Sequence, residues 1–126
     1  MDRISLKIFL ILAVVLAGGF AAFSLTQNSS VPPFGGKTYE VNLGEDGFSP
    51  KEIVLKAGDA VKFTTTKDEF FWPASNLHPT HEIYPEFDPR KPIGPNESWT
   101  FIFSKAGQWR YHNHLSPGFT GLIKVE

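Results

Sequence analysis

An all-β sandwich is the fold class that the sequence predicts for residues 37–126. The chain contains 11 glycines and 10 prolines among 126 residues, enough to separate many short strands by turns. Apolar and polar residues alternate in several segments that follow one another at intervals of roughly ten residues, as in strands with one buried face. No segment after residue 37 has the periodicity of an amphipathic helix. Together these patterns favour a sandwich of two packed sheets or a barrel.

An apolar N-terminal segment precedes the predicted domain. Residues 8–23 contain no charged side chain and follow Arg3 and Lys7, which is typical of an export signal. We interpret residues 1–25 as a signal anchor or a signal peptide, and we favour the uncleaved anchor. Residues 26–36 are a polar linker rich in proline and glycine. The domain is therefore expected to be extracytoplasmic, in the periplasm or at the cell surface, and held to the membrane by an N-terminal helix.

Alternation predicts six strands in the rest of the chain. Tyr39, Val41 and Leu43, for example, share one face of the first of them. The predicted strands cover residues 37–43, 51–57, 60–66, 98–104, 108–113 and 119–125, and residues 44–50 (GEDGFSP) are predicted to form a turn. We expect these strands to pair antiparallel.

A long segment between the third and fourth of these strands interrupts the pattern. Residues 68–95 contain six prolines and much of the polar chemistry of the chain. We predict an ordered excursion around one further strand at residues 81–84. Loops of this length in a compact domain usually carry function. Within it, residues 70–73 (FFWP) are interpreted as a lid on the core rather than as a docking patch.

Composition excludes several classes of function. The chain has 12 Lys and Arg against 13 Asp and Glu, a net charge of -1, so no nucleic-acid partner is expected. It has no cysteine, which excludes disulfides, thiolate metal ligands and cysteine nucleophiles. The single methionine is Met1, so no thioether ligand is expected in the domain.

Two stretches of sequence resemble a known family. Residues 47–66 (GFSPKEIVLKAGDAVKFTTT) resemble the opening of a cupredoxin, a small copper-protein β-sandwich, and residues 107–125 (GQWRYHNHLSPGFTGLIKV) resemble its last hairpin. The resemblance implies a cupredoxin-like Greek-key domain over residues 37–126. The WRYHNH segment is also similar to a copper-ligand strand in the first domain of multicopper oxidases.

The ligand pattern departs from that of the blue-copper members. On the resemblance, Asn113 falls where they have cysteine, Ser116 where they have the second histidine, and Phe119 where they have methionine. Their first histidine matches His81. The resemblance therefore does not imply electron transfer through a copper–thiolate bond.

The four histidines of the chain form two closely spaced pairs. His112 and His114 are separated by one residue, and on an extended strand both imidazoles project from the same face. His78 and His81 form the second pair, stiffened by Pro79. Imidazole suits copper and zinc, and Cu(II) binds most tightly among the divalent ions. We predict a metal site that contains His78, His81, His112 and His114, with Cu(II) as the expected ion, zinc as an alternative, and a degenerate metal-free domain as the competing interpretation.

Other polar residues lie close to these pairs in the sequence. Glu86 and Asp88 either orient an imidazole or form surface ion pairs with Arg90 and Lys91, and we favour the ion pairs. Asn76 is expected to tie the ligand loops together, as polar residues beside the first ligand do in the family.

The best functional reading is an extracytoplasmic copper-binding module for copper handling or redox support. The expected partners are the membrane, through the N-terminal segment, and a redox or copper-trafficking protein. A binding module is favoured over an enzyme because the chain is one small domain without an evident signature of a substrate pocket. Two alternatives stay open: a copper oxidase-like enzyme subunit completed by oligomerisation, and a metal-free interaction domain of a membrane complex.

Overall fold

A computed structural model describes residues 35–126 of the protein. These residues form two four-stranded sheets. The strands are β1 (Thr38–Gly44), β2 (Gly47–Ser49), β3 (Glu52–Leu55), β4 (Ala60–Thr65), β5 (Pro73–Ser75), β6 (Trp99–Ile102), β7 (Gly107–Asn113) and β8 (Ser116–Val125). The predicted N-terminal signal or anchor lies outside the described residues. Within residues 35–126 there is no helix that is suited to crossing a bilayer.

Each sheet mixes parallel and antiparallel pairs, so the expectation of purely antiparallel pairing is wrong. The strand orders are β2-β1-β4-β6 and β3-β8-β7-β5. β1 pairs parallel with β4, and β3 pairs parallel with β8. The reason lies in the connection: β3 belongs to the other sheet, so the chain returns to β4 running in the same direction as β1.

The six predicted strands are confirmed, with ends shifted by a few residues. Two short strands, β2 and β5, were not predicted. β2 lies in the predicted turn, where buried Phe48 pairs with Leu43 across a tight hairpin. β5 begins at Pro73, the last residue of the segment interpreted as a lid, and it forms the edge of the second sheet beside β7.

Aromatic side chains fill the space between the sheets. The phenol ring of Tyr111 is fully buried and lies 5.5 Å, centroid to centroid, from each of Phe63 and Phe87. Tyr111 pairs across strands with Gly121, whose missing side chain leaves room for the ring. Within the described chain, the Tyr111 hydroxyl is the one buried side-chain polar atom without a hydrogen-bond partner. The packing around Tyr111 fixes β7 against the core.

The strand β7 also positions one end of the sandwich for polar chemistry. It lies between β8 and β5 in the second sheet, and Ala74 of β5 is the partner of His112. Since alternate side chains of a strand point to opposite faces, Tyr111 in the core places His112 on the outer face of the sheet. The loop between β5 and β6 then covers this face.

Candidate metal centre

Four imidazoles converge at the end of β7. One ring nitrogen from each of His78, His81, His112 and His114 lies within 4.8 Å of the corresponding nitrogen of every other member. The ring centroids of His112 and His114 are 6.2 Å apart. The four histidines of the two pairs therefore form one cluster that could hold a metal ion.

His78 and His81 are carried by a loop that is fastened to β5. The hydroxyl oxygen of the fully buried Ser75 lies 2.8 Å from the carbonyl oxygens of both His81 and Tyr84, and it accepts the Tyr84 N–H at 3.3 Å. The His81 N–H donates to the Leu77 carbonyl at 2.6 Å. These bonds fold residues 81–84 into turns, so the predicted strand there is wrong.

The backbone of His81 adopts a conformation that is uncommon for a residue with a side chain. Its φ is 53°, in the left-handed region. Non-glycine residues in this region cost free energy and are concentrated at functional sites. At His81 this conformation accompanies a side chain that is buried and directed into the cluster.

Two of the imidazoles are oriented by hydrogen bonds from outside the cluster. The Nδ1–H of His81 donates to the carboxylate of Asp88 at 2.7 Å, and the Nδ1–H of His112 donates to the amide oxygen of Asn76 at 3.0 Å. Both bonds leave the Nε2 lone pair directed into the cluster. Such partners fix the tautomer and raise the basicity of a metal-binding imidazole.

Asp88 also acts on a third imidazole through Trp72. Its second carboxylate oxygen accepts the indole N–H of Trp72 at 2.8 Å. The indole packs against His114 with ring centroids 4.7 Å apart, and the backbone N–H of His114 donates to the Trp72 carbonyl at 2.7 Å. One carboxylate therefore supports two sides of the cluster.

This finding corrects the favoured interpretation of the acidic residues. Asp88 is 15% exposed and orients His81, so it is not a surface partner of Arg90 or Lys91. Glu86 does form an exposed ion pair, but with Lys105, at 3.1 Å. The sequence could not decide between the two interpretations, because the contact depends on how the loop folds back over β7.

The segment at residues 70–73 is part lid and part exposed surface. Phe71 is fully buried, as a lid requires, whereas Phe70 is 61% exposed. Asn76 has the linking role expected of it, through its bond to His112. Asn113 has a structural role: its amide oxygen accepts the N–H groups of Trp72 and Leu115, at 2.8 and 3.4 Å.

The nitrogen spacings suit a single metal ion. His78 Nδ1 lies 3.3 Å from His112 Nε2, and His81 Nε2 lies 2.9 Å from His114 Nδ1. Neighbouring ligands bound at about 2.0–2.1 Å are about 2.9 Å apart in square-planar and about 3.4 Å apart in tetrahedral geometry. The widest separation, 4.8 Å, exceeds the span of two opposite ligands by a fraction of an ångström. Small side-chain rotations would bring all four nitrogens into bonding range.

Burial favours the neutral imidazoles that a metal needs. Burial and the neighbouring imidazoles lower the pKa of His112 to about 4, and the same causes lower the pKa of His114. For Asp88, burial raises the pKa, but hydrogen bonds from the side chains of His81 and Trp72 and from the backbone N–H of Arg90 outweigh it, and the pKa of Asp88 lies below the usual range. The cluster therefore combines the neutral imidazoles of His112 and His114 with a charged carboxylate nearby.

These shifts make the metal-free protein sensitive to acid. His112 titrates near ~6.5 in the unfolded chain and at about 4 in the folded one, so protons bind preferentially to the unfolded state between these values. The resulting stability is complete above pH ~6.5 and is lost as the pH falls toward 4, by on the order of 1–2 kcal/mol at pH 5. Urea unfolding at pH 7 and pH 5 measures this loss. A smaller loss in His112→Asn is expected, and equal stability at both pH values contradicts the assignment.

Comparison with known proteins identifies the fold. No protein-family model matches the sequence, and a comparison with curated proteins gives no match. Amicyanin from Paracoccus versutus is similar in structure, with a TM-score of 0.61 and 20% identity over 71% of this chain and 81% of that one. A purple cupredoxin from Nitrosopumilus maritimus has a TM-score of 0.61 and 17% identity over 70% and 99% of the two chains.

A larger copper protein contains a similar unit. The copper-containing nitrite reductase of Thermus scotoductus gives a TM-score of 0.57 and 20% identity, over 71% of this chain and 22% of that chain. At sequence identities this low, the structural agreement establishes the architecture of the chain and nothing more. The chain has the cupredoxin fold, with a cluster of four histidines able to hold a metal ion and without a cysteine.

Proposed function

We propose that the protein is an extracytoplasmic module that binds one copper ion through imidazole ligands, for copper handling or redox support. The observation that carries the proposal is the convergence of four ring nitrogens within 4.8 Å. Asp88 and Asn76 support it, because they direct the Nε2 atoms of His81 and His112 toward one point.

Copper is the proposed ion for two reasons: the donors are all imidazole nitrogens, and several proteins of similar structure contain copper. Nitrogen donors bind Cu(II) more tightly than the other divalent first-row ions. Among the similar structures, one amicyanin is described as a reduced Cu(I) form and the nitrite reductase is described as containing copper. Bound Cu(II) would supply a redox-active centre, which the residues here would hold without a thiolate.

Binding is a better proposal than catalysis. Catalytic metal sites usually keep a coordination position open for water or substrate. Here all four histidines of the chain contribute a nitrogen to one cluster. With all four bound, a four-coordinate ion has its ligands from the protein alone.

The proposed location rests on the N-terminal sequence. Residues 1–25 have the charged start and apolar run of an export signal or anchor, and residues 26–36 supply a tether. An exported copper-binding domain near a membrane would exchange its ion with a redox or copper-trafficking protein.

Equilibrium dialysis of the full-length protein against Cu(II) and Zn(II) tests the proposal. We expect one copper ion per chain, held in preference to zinc. A double variant, His81→Ala with His112→Ala, serves as the control and should retain no tightly bound ion. Wild-type protein that binds neither metal would favour the interaction-domain alternative, and tighter binding of zinc would overturn the assignment of copper.

A further inference from the structure

The four histidines differ in their exposure to solvent. His112 and His81 are 2% and 5% exposed, and His114 is partly buried, whereas His78 is exposed. An ion at the centre of the cluster would therefore have three ligands on the protein side and one on the solvent side. We call the solvent-exposed side of the cluster, where His78 lies, the open edge.

The histidines also differ in how they are held. His81 and His112 are anchored by Asp88 and Asn76, at 2.7 and 3.0 Å. His114 is held by the indole ring and the backbone carbonyl of Trp72.

His78 has no comparable support. Its one side-chain hydrogen bond within residues 35–126 is to Nε2 of His112, at 3.3 Å. That contact joins two prospective ligand atoms, so a bound ion would replace it. The ring of His78 also packs against those of His112 and His114, with centroids 5.2 and 4.8 Å away, so its hydrogen bond and its ring contacts are all to other members of the cluster.

Because His78 is the least firmly held of the four histidines, we expect it to dissociate from a bound ion first. Fixing a mobile side chain costs rotamer entropy, and ligands that are already ordered bind more strongly for that reason. His78 loses this rotamer entropy only when the ion binds, whereas the three anchored histidines have already lost it on folding. The bond to His78 is therefore expected to be the weakest of the four.

The surroundings of the open edge admit an incoming ligand. Leu77 and Leu115, the sequence neighbours of His78 and His114, are 54% and 47% exposed. Exposed apolar side chains beside a polar site suit a flat heterocycle better than a strongly hydrated anion.

We propose that His78 is the exchangeable ligand of the site, and that an incoming imidazole takes its place while His81, His112 and His114 keep the ion. The inference rests on the proposed copper site. One copper–nitrogen bond breaks and another forms, one neutral imidazole replaces another, and no electron is transferred. The imidazole belongs to a small molecule or to a histidine of a partner protein, and the same open edge serves both.

Rescue by free imidazole tests the proposal on full-length protein loaded with Cu(II). His78→Gly should lower the affinity for Cu(II) by less than the about 10- to 100-fold that loss of an orienting group causes in metal sites. Added imidazole should restore both the affinity and the four-nitrogen EPR pattern. His81→Gly is the matched control, since glycine accepts its φ of 53°. It should lose more affinity and should resist rescue, because its position is buried.

The source of the ligand is distinguished by a second titration. A short peptide that contains one histidine should rescue His78→Gly if the edge admits a protein donor. Rescue by imidazole alone would restrict the ligand to small molecules. Equal loss of affinity in the two glycine variants, or equal rescue of both, would overturn the proposal while leaving the copper site itself intact. Absence of copper from the wild-type protein would instead remove the site and the inference together.

The wild-type protein gives a test that needs no variant. If imidazole ligands enter at the His78 edge, the rate of Cu(II) transfer to histamine, a chelator that carries an imidazole, should rise in proportion to the chelator concentration. A rate that is independent of chelator concentration would show that the ion leaves unaided, and would overturn the proposal.

Discussion

Replacement of His112 by alanine is expected to cause the largest loss of Cu(II) affinity of any single substitution in the site. The imidazole is 2% exposed, is held by Asn76 and lies on β7, which is paired on both sides. Removal of groups that only orient a metal ligand costs about 10- to 100-fold in affinity, so loss of this buried and anchored imidazole should cost at least as much. Competition titration against a chelator of known affinity measures the change.

A neighbour on the same strand provides the control. Arg110 lies two residues before His112, so it shares the outer face of β7, but it is exposed and outside the cluster. Arg110→Ala should leave Cu(II) affinity unchanged within about threefold, since exposed substitutions away from a site rarely alter it by more than a few tenths of a kcal/mol. Copper titrations of His112→Ala that match those of the wild type would remove His112 from the ligand set.

The second large effect is expected on stability, at Gly121. A methyl group at this position would overlap the buried phenol ring of Tyr111, which lies directly across the strand pair. Tyr111 is enclosed by other core aromatics and cannot swing away without disturbing them. Overpacking of this kind costs typically about 1–3 kcal/mol, and we expect Gly121→Ala to lie at the upper end of that range. Urea unfolding of the metal-free protein measures the change.

Two control substitutions test whether steric overlap with Tyr111 causes the loss of stability in Gly121→Ala. Gly118, on the same strand, has open space where a methyl group would go, so Gly118→Ala should be close to neutral. Tyr111→Phe removes a buried hydroxyl that has no partner within residues 35–126, and it should preserve or raise stability, since such groups cost about 1–3 kcal/mol. A Gly121→Ala variant as stable as Gly118→Ala would show that the ring moves aside easily.

Strand alternation was enough to predict most of the fold. β1, β4 and β6 each bury one face against a single core, so their apolar residues recur at every second position. β5 is only three residues long and is buried on every residue, which leaves no alternation to detect. The parallel pairing depends on which sheet each strand joins, and local patterns carry no information about that choice.

The four clustered histidines and the role of Asn76 could be predicted from the sequence, but the support that Asp88 and Trp72 give the cluster could not. The two histidine pairs are visible as short spacings, and a cupredoxin-like segment contains the pair of His112 and His114. Asp88 is seven residues from His81 and sixteen from Trp72 along the chain, yet it bonds to both. Those contacts arise because Ser75 turns the loop back over β7. Side-chain positions created by a turn of this kind have no signature in the sequence.

An absorption and EPR titration of the full-length protein with Cu(II) tests the central claim most directly. Intense blue-copper colour belongs to a trigonal site with a cysteine thiolate, and this chain has no cysteine. Binding through His78, His81, His112 and His114 should give one tetragonal site per chain. We expect weak ligand-field absorption, a large parallel hyperfine splitting and coupling to several nitrogens. Cu(II) that stays free in solution, or an intense charge-transfer band with a narrow parallel splitting, would contradict an imidazole-only copper site.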